Sequence, residues 1–185
     1  MVANFDIERM MQHGQIRPVS MNVLPLGLLP GSGATEKQIE AVKRVAIYPF
    51  PFVRERIIDK NLIALADLDT AELEFRRYFS LTALVPKGTS LGIPSHIVDE
   101  FWHTFLLFTR AYRLFCDETV GRFIHHKPRT SFTPISKDST KNFVQQYNKF
   151  YGEVPEIWAR DLKFDDCSTS TASTGNSEWG DNDDD

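Results

Sequence analysis

"VDEFWHTFLLFTRAYRLFCDETVGRFIHHKP", residues 98–128, carries three of the chain's five histidines, one of its two cysteines and a dense set of aromatic side chains. At about 100° per helical residue, Phe101, Phe105, Phe108, Tyr112 and Phe115 fall in one stripe about 80° wide. A stripe of that kind is a helix face built for burial. Asp99, His103 and Arg110 form a second, polar stripe. Asp99 and His103 stand at i and i+4, close enough for a carboxylate to orient an imidazole or for both to bind one ion.

Cys116 is harder to place. On an unbroken helix it falls about 140° from His103, on the aromatic side, where an inert buried thiol is the ordinary expectation. A break near Phe108, with Thr109 capping a second helix, would turn Cys116 toward the space that His103 faces. His125 and His126 return on a segment ended by Pro128. Asp99, His103, Cys116 and His126 are therefore the candidate metal ligands, with His125 as the substitute for His126, which lies nearer Pro128. Thiolate and imidazole donors favour a transition metal, zinc first, and tolerate the carboxylate.

Outward from this stretch the pattern remains helical. Thr35 and Gln38 have capping-box spacing, and Ile39, Val42, Ala46 and Ile47 follow near helical period, which predicts a helix over about 36–47. "YPFPF" stops it, since proline lacks the amide donor and disfavours helix in the residue before it. A second helix is expected around 51–60. Asp69 or Thr70 is the expected cap of a third, which keeps Leu73, Tyr78, Leu81 and Leu84 near one side and ends before Pro86. Ser95 caps the helix of the opening stretch, "DSTKNFVQQYNKFYG" reads as another helix stopped at Gly152, and "PEIW" as one turn starting at Pro155. No segment alternates with period two, so the fold class is all-α: a single-domain irregular helical bundle.

Composition sets the boundaries. The 185 residues suit one domain, expected over 35–165 behind an irregular arm at 1–34 that opens with the short amphipathic "FDIERMMQ". From Asp161 onward eight acidic residues face Lys163 alone, and from 166 the chain is Ser, Thr, Gly, Asn and Asp with almost nothing to bury. That composition predicts a disordered acidic tail over 166–185. Removing the segment from Asp161 onward turns the net charge of −4 into +3 for the body, too little to argue for nucleic acid without a clustered basic stripe. Cys116 and Cys167 make no disulfide framework, no Cys-x-x-Cys occurs, and no leader or spanning run is present; a cytoplasmic protein without membrane attachment is the expectation. Trp179, alone among Asp, Asn and Ser, is solvated or docks as a short acidic-aromatic motif on an unidentified protein partner.

Two sharper motifs do not carry through. Glu100-x-x-His103 is half of a di-iron bundle motif, but no second copy exists. A Cys/His nucleophile pair lacks an oxyanion element and any orienting partner beyond Asp99.

Val98, Asp99, Trp102, His103, Tyr112, Cys116, Gly121, His125 or His126, and Pro128 together resemble the signature of the glycine-rich domain-containing protein-like family, with "PEIW" as a weaker match. The resemblance implies a helical fold, a turn between the Trp-His and Tyr-Cys helices, and no defined activity. Phe105 stands where those proteins often carry a second histidine. Some plant members add an RNA-recognition domain and a glycine-rich tail; this chain has neither, so RNA binding is not implied.

Three functional expectations follow. The first is a binding or regulatory module holding a polar, metal-capable Asp/His/Cys/His cluster. The second is a metal-dependent enzyme in which Asp99, His103 and His126 form an open site of two histidines and one carboxylate. The third is a protein-interaction module without metal.

Overall fold

A computed structural model describes residues 24–127 and 136–160. Among them all regular structure is helical, as the sequence pattern requires. A 3₁₀ turn at Pro25–Gly27 precedes α1 (Glu36–Ile47), α2 (Pro51–Lys60), α3 (Leu65–Leu84), α4 (His96–Leu106), α5 (Thr109–Thr119), α6 (Lys137–Tyr151) and the single turn α7 (Glu156–Ala159). The segment "FDIERMMQ", Pro128, and the tail with Cys167 and Trp179 lie outside the described residues.

The longest helix, α3, is the axis. It packs against α1, α4 and α6, while α4 also meets α2 and α5, and α1 meets α5. Phe50, Phe75, Phe79, Phe101, Phe105 and Phe115 meet at its centre, with ring centroids 4.5–6.3 Å apart in tilted or edge-on pairs. Such geometry sets positive ring edges on negative faces, which favours one arrangement of the core over its alternatives.

Helix ends are closed by specific partners. Thr35 and Gln38 form the reciprocal capping box expected from their spacing. Gln38 also crosses to α3, donating from Nε2 to the carbonyls of Ala83 and Leu84. In return Arg76 of α3 donates to the carbonyls of Val45, Ala46 and Tyr48 at the end of α1, at 2.6, 3.1 and 2.7 Å. Each helix thus satisfies the orphan carbonyls of the other, and a cation sits where the helix dipole is negative. Burial lowers the pKa of Arg76, and Glu72, 2.6 Å away, opposes that shift.

Three local expectations need correction. α3 begins at Leu65, before the expected caps Asp69 and Thr70; Leu68 is buried in its first turns, and its packing draws the helix start upstream. Asp69 instead meets Arg54 at 2.6 Å. The expected stripe of α3 is also turned: Leu73 is 38% exposed, whereas Ala71, Phe75 and Phe79 join Tyr78, Leu81 and Leu84 in the core. The break between α4 and α5 is present, but Phe108 rather than Thr109 is the residue before the second helix, and no side chain caps it.

Candidate functional site

α4 starts as its sequence dictates, with the Ser95 hydroxyl accepting from the Val98 amide. This sets Val98, Phe101, Trp102 and Phe105 into the core and leaves Asp99 and His103, one turn apart, at its margin. After α5, the amide of Gly121 closes the helix on the carbonyl of Cys116. Gly121 has φ +72°, a conformation that costs other residues, and from it the chain runs without regular structure through 122–127. That segment returns His126 to α4.

There Nε2 of His126 lies 2.8 Å from Oδ1 of Asp99. Nε2 of His103 lies 3.9 Å from the same oxygen. One donor atom from each of the three side chains falls within 4.8 Å of the other two. The imidazoles of His103 and His126 stack with centroids 4.5 Å apart and planes 15° apart, and the Trp102 indole lies 4.4 Å from the His126 ring. Side-chain exposure is graded: 5% for His126, 9% for Asp99 and 40% for His103. The buried pair is thus backed by a tryptophan and opened to water through His103.

Asp99 and His103 also stand on the wall of a cleft of about 440 Å³ between the α2–α3 connection and α4. Ile63, Ala64 and Ile97 supply apolar wall, and Glu100 and His96 further polar groups. Such a volume lies in the range of small-molecule sites. Glu100 and His103, whose spacing alone makes only half of a di-iron motif, share this wall. His96 and Glu100 border the site with no sequence signal of their own, since i, i+4 polar pairs are common on any exposed helix face.

Cys116 does not join the group. It is wholly buried beside Tyr112, one turn earlier on α5. Burial pushes its thiol up, opposed by hydrogen bonding from the Ile124 backbone and the Tyr112 hydroxyl. The bend between α4 and α5 therefore does not swing the sulfur to His103, because α5 buries the face that carries Tyr112, Phe115 and Cys116 together. His125 is exposed and rests edge-on against Phe123, at 4.8 Å, away from Asp99. What the chain assembles is one carboxylate and two imidazoles.

No helix among the described residues is long and apolar enough to cross a membrane. The sequence model of the UCP032817-like family matches residues 40–150, and the chain belongs to that family. This overturns the resemblance to the glycine-rich domain-containing protein-like family. The positions behind that resemblance include Val98, Trp102, Tyr112 and Cys116, all of which are core-packing residues of a bent helix pair. Core packing of that kind constrains residue type in many helical proteins. No curated protein and no solved structure matches the chain.

Proposed function

We propose that this member of the UCP032817-like family binds a divalent transition-metal ion through Asp99, His103 and His126, and that the open side of the ion takes a small ligand from the adjoining cleft. The observation that carries the reading is the convergence of a carboxylate oxygen of Asp99 and one ring nitrogen each of His103 and His126 within 4.8 Å of one another. Donors about 2.1 Å from a tetrahedral ion lie about 3.4 Å apart, and the observed 2.8 and 3.9 Å bracket that spacing. Two imidazoles and a carboxylate suit zinc or iron(II), and three protein ligands leave coordination positions for water or a ligand. A structural zinc site would be closed by four, and the thiol that could have closed this one is held in the core. Such a site operates in a reducing cytoplasm, where Cys116 remains a free thiol.

The 2.8 Å contact also supports a second reading. A proton shared between Asp99 and His126 makes the pair a latch that ties the 122–127 segment to α4 with no ion involved. Elemental analysis of the purified full-length chain, followed by zinc and cobalt(II) titration of chelator-treated protein, separates the two. The metal reading expects about one ion per chain and a cobalt(II) visible spectrum that His103→Ala abolishes. Absence of metal in the purified protein and of any titratable binding leaves the latch.

A further inference from the structure

The 122–127 segment that carries His126 is held through its backbone at Ile124, whose amide hydrogen-bonds the Cys116 thiol. Among the described residues it makes no backbone–backbone hydrogen bond. The carbonyl of Ile124 accepts from the hydroxyl of Tyr112 at 2.5 Å. That hydroxyl in turn accepts from the indole Nε1 of Trp102 at 3.2 Å. Trp102 is the residue whose ring lies 4.4 Å from His126. The phenol of Tyr112 thus sits between two of the groups that place the His126 ring, the main chain two residues upstream and the indole beside it, on the side away from its bond to Asp99. Phe123 adds an edge-on contact to the Tyr112 ring at 5.3 Å.

We propose that Tyr112 is a positioning residue for His126. It never touches the donor group, yet it sets where the second imidazole stands relative to Asp99. The hydroxyl gives its proton to the carbonyl of Ile124, accepts from Trp102 and also lies within hydrogen-bonding reach of the Cys116 thiol. Removing it frees the carbonyl of Ile124, strands the indole donor and lets the segment move as a unit. Groups that orient metal-ligating histidines typically change affinity by about 10–100-fold when removed. In its metal arm the inference rests on the function proposed above; in its imidazole arm it stands without it.

The experiment compares full-length wild type, Tyr112→Phe and Tyr147→Phe. Tyr147 is an equally buried phenol whose hydroxyl bonds Glu74 and Arg77 instead, so its loss costs at least as much stability without reaching His126. The first readout is the ring nitrogen and proton resonances of His126 in metal-free protein, which report its hydrogen bond to Asp99. The second is zinc affinity and the cobalt(II) spectrum. Tyr112→Phe is expected to shift the His126 resonances and weaken zinc about tenfold or more, with both readouts unmoved in Tyr147→Phe. Unshifted His126 resonances in Tyr112→Phe, or equal shifts in both variants, overturn the inference. If wild type binds no zinc, the metal reading fails and the resonances alone decide the role of Tyr112. Should Tyr112→Phe not fold, linkage supplies a test in wild type: zinc that binds and fixes His126 must slow exchange of the Tyr112 hydroxyl proton, and exchange indifferent to bound zinc overturns the coupling.

Discussion

The indole Nε1 of Trp158 donates a 2.6 Å hydrogen bond to Oε2 of Glu74, joining the last helical turn to the middle of α3 across 84 residues. The same oxygen accepts from the hydroxyl of Tyr147 at 2.7 Å, and Oε1 meets Arg77 at 2.9 Å. Glu74 is 1% exposed, so this carboxylate has exchanged all its water for three protein donors. Arg77 extends the network to the carbonyl of Leu26 in the N-terminal turn. One buried anion thereby gathers α3, α6, α7 and, through Arg77, the start of the described chain.

Glu74→Ala should accordingly be among the most destabilising single changes. It leaves Arg77, Tyr147 and Trp158 with donors turned toward a void, and removing one partner of a buried charged pair costs about 3–5 kcal/mol. Guanidinium denaturation followed by helical circular dichroism measures the loss. A change below about 1 kcal/mol would mean that water replaces the carboxylate at little cost.

Arg76→Met isolates the cross-capping of α1 by α3. The substitution keeps most of the buried stem over the Phe50 ring, which the guanidinium covers at 4.5 Å. It removes the donors to Val45, Ala46 and Tyr48 and leaves Glu72 with Arg54 alone. The expected loss is about 2–4 kcal/mol, concentrated at the end of α1. Amide exchange should rise in the last turn of α1 before it rises in α4, and uniform exchange would show that the caps do not act locally.

These two networks show which part of the architecture is written locally. The capping box at Thr35 and Gln38, the stops at Pro49 and Gly152, and the aromatic stripe of α4 and α5 each depend on residues within a turn or two. They are read from spacing alone. Glu74 with Trp158 and Arg76 with Tyr48 are separated by 84 and 28 residues, and no periodicity announces such pairs. The candidate site lies between these cases. Asp99 and His103 are legible as i and i+4 neighbours, and the bend at Phe108 is legible too. The rotation of α5 beyond the bend is not, because it is set by the whole core accepting Tyr112, Phe115 and Cys116 together. Hence the carboxylate and the imidazoles converge while the thiol remains apart.

All five tyrosines of the chain are buried, which gives its alkaline limit a defined form. Burial, with Glu118 and Cys116 nearby, pushes the Tyr48 phenol up to about 12 from 10.0. Burial raises Tyr78, Tyr112, Tyr147 and Tyr151 further, and the Cys116 thiol upward from 9.0. The folded state holds these protons where the unfolded chain releases them, so their contribution is fully present below pH 9 and declines as pH rises. Above pH 10 each phenol lowers stability by about 1.4 kcal/mol per pH unit, and five together by about 7. Phenolate absorbance should stay flat past pH 10 and then rise in one cooperative step together with loss of helical ellipticity. Gradual phenolate formation in a folded protein would contradict this burial.

The graded exposure of the candidate site separates binding from stability. His103 is 40% exposed, and its only ion-pair contact among the described residues is the 3.9 Å approach to Asp99. His103→Ala should therefore change metal-free stability by no more than about 0.5 kcal/mol. Its loss should still be decisive for a three-donor site, since two donors no longer enclose the ion. A ligand at one hundred times its dissociation constant stabilises the folded state by about 2.7 kcal/mol. Chemical denaturation with and without zinc at that excess should show this increment in wild type and none in His103→Ala. His126→Ala should lose the increment as well, and also start from lower metal-free stability, because it empties the space beside Trp102 and strips Asp99 of a 2.8 Å partner. If His103→Ala retains the full increment, the metal binds elsewhere and the convergence of these donors serves only to latch the segment to α4.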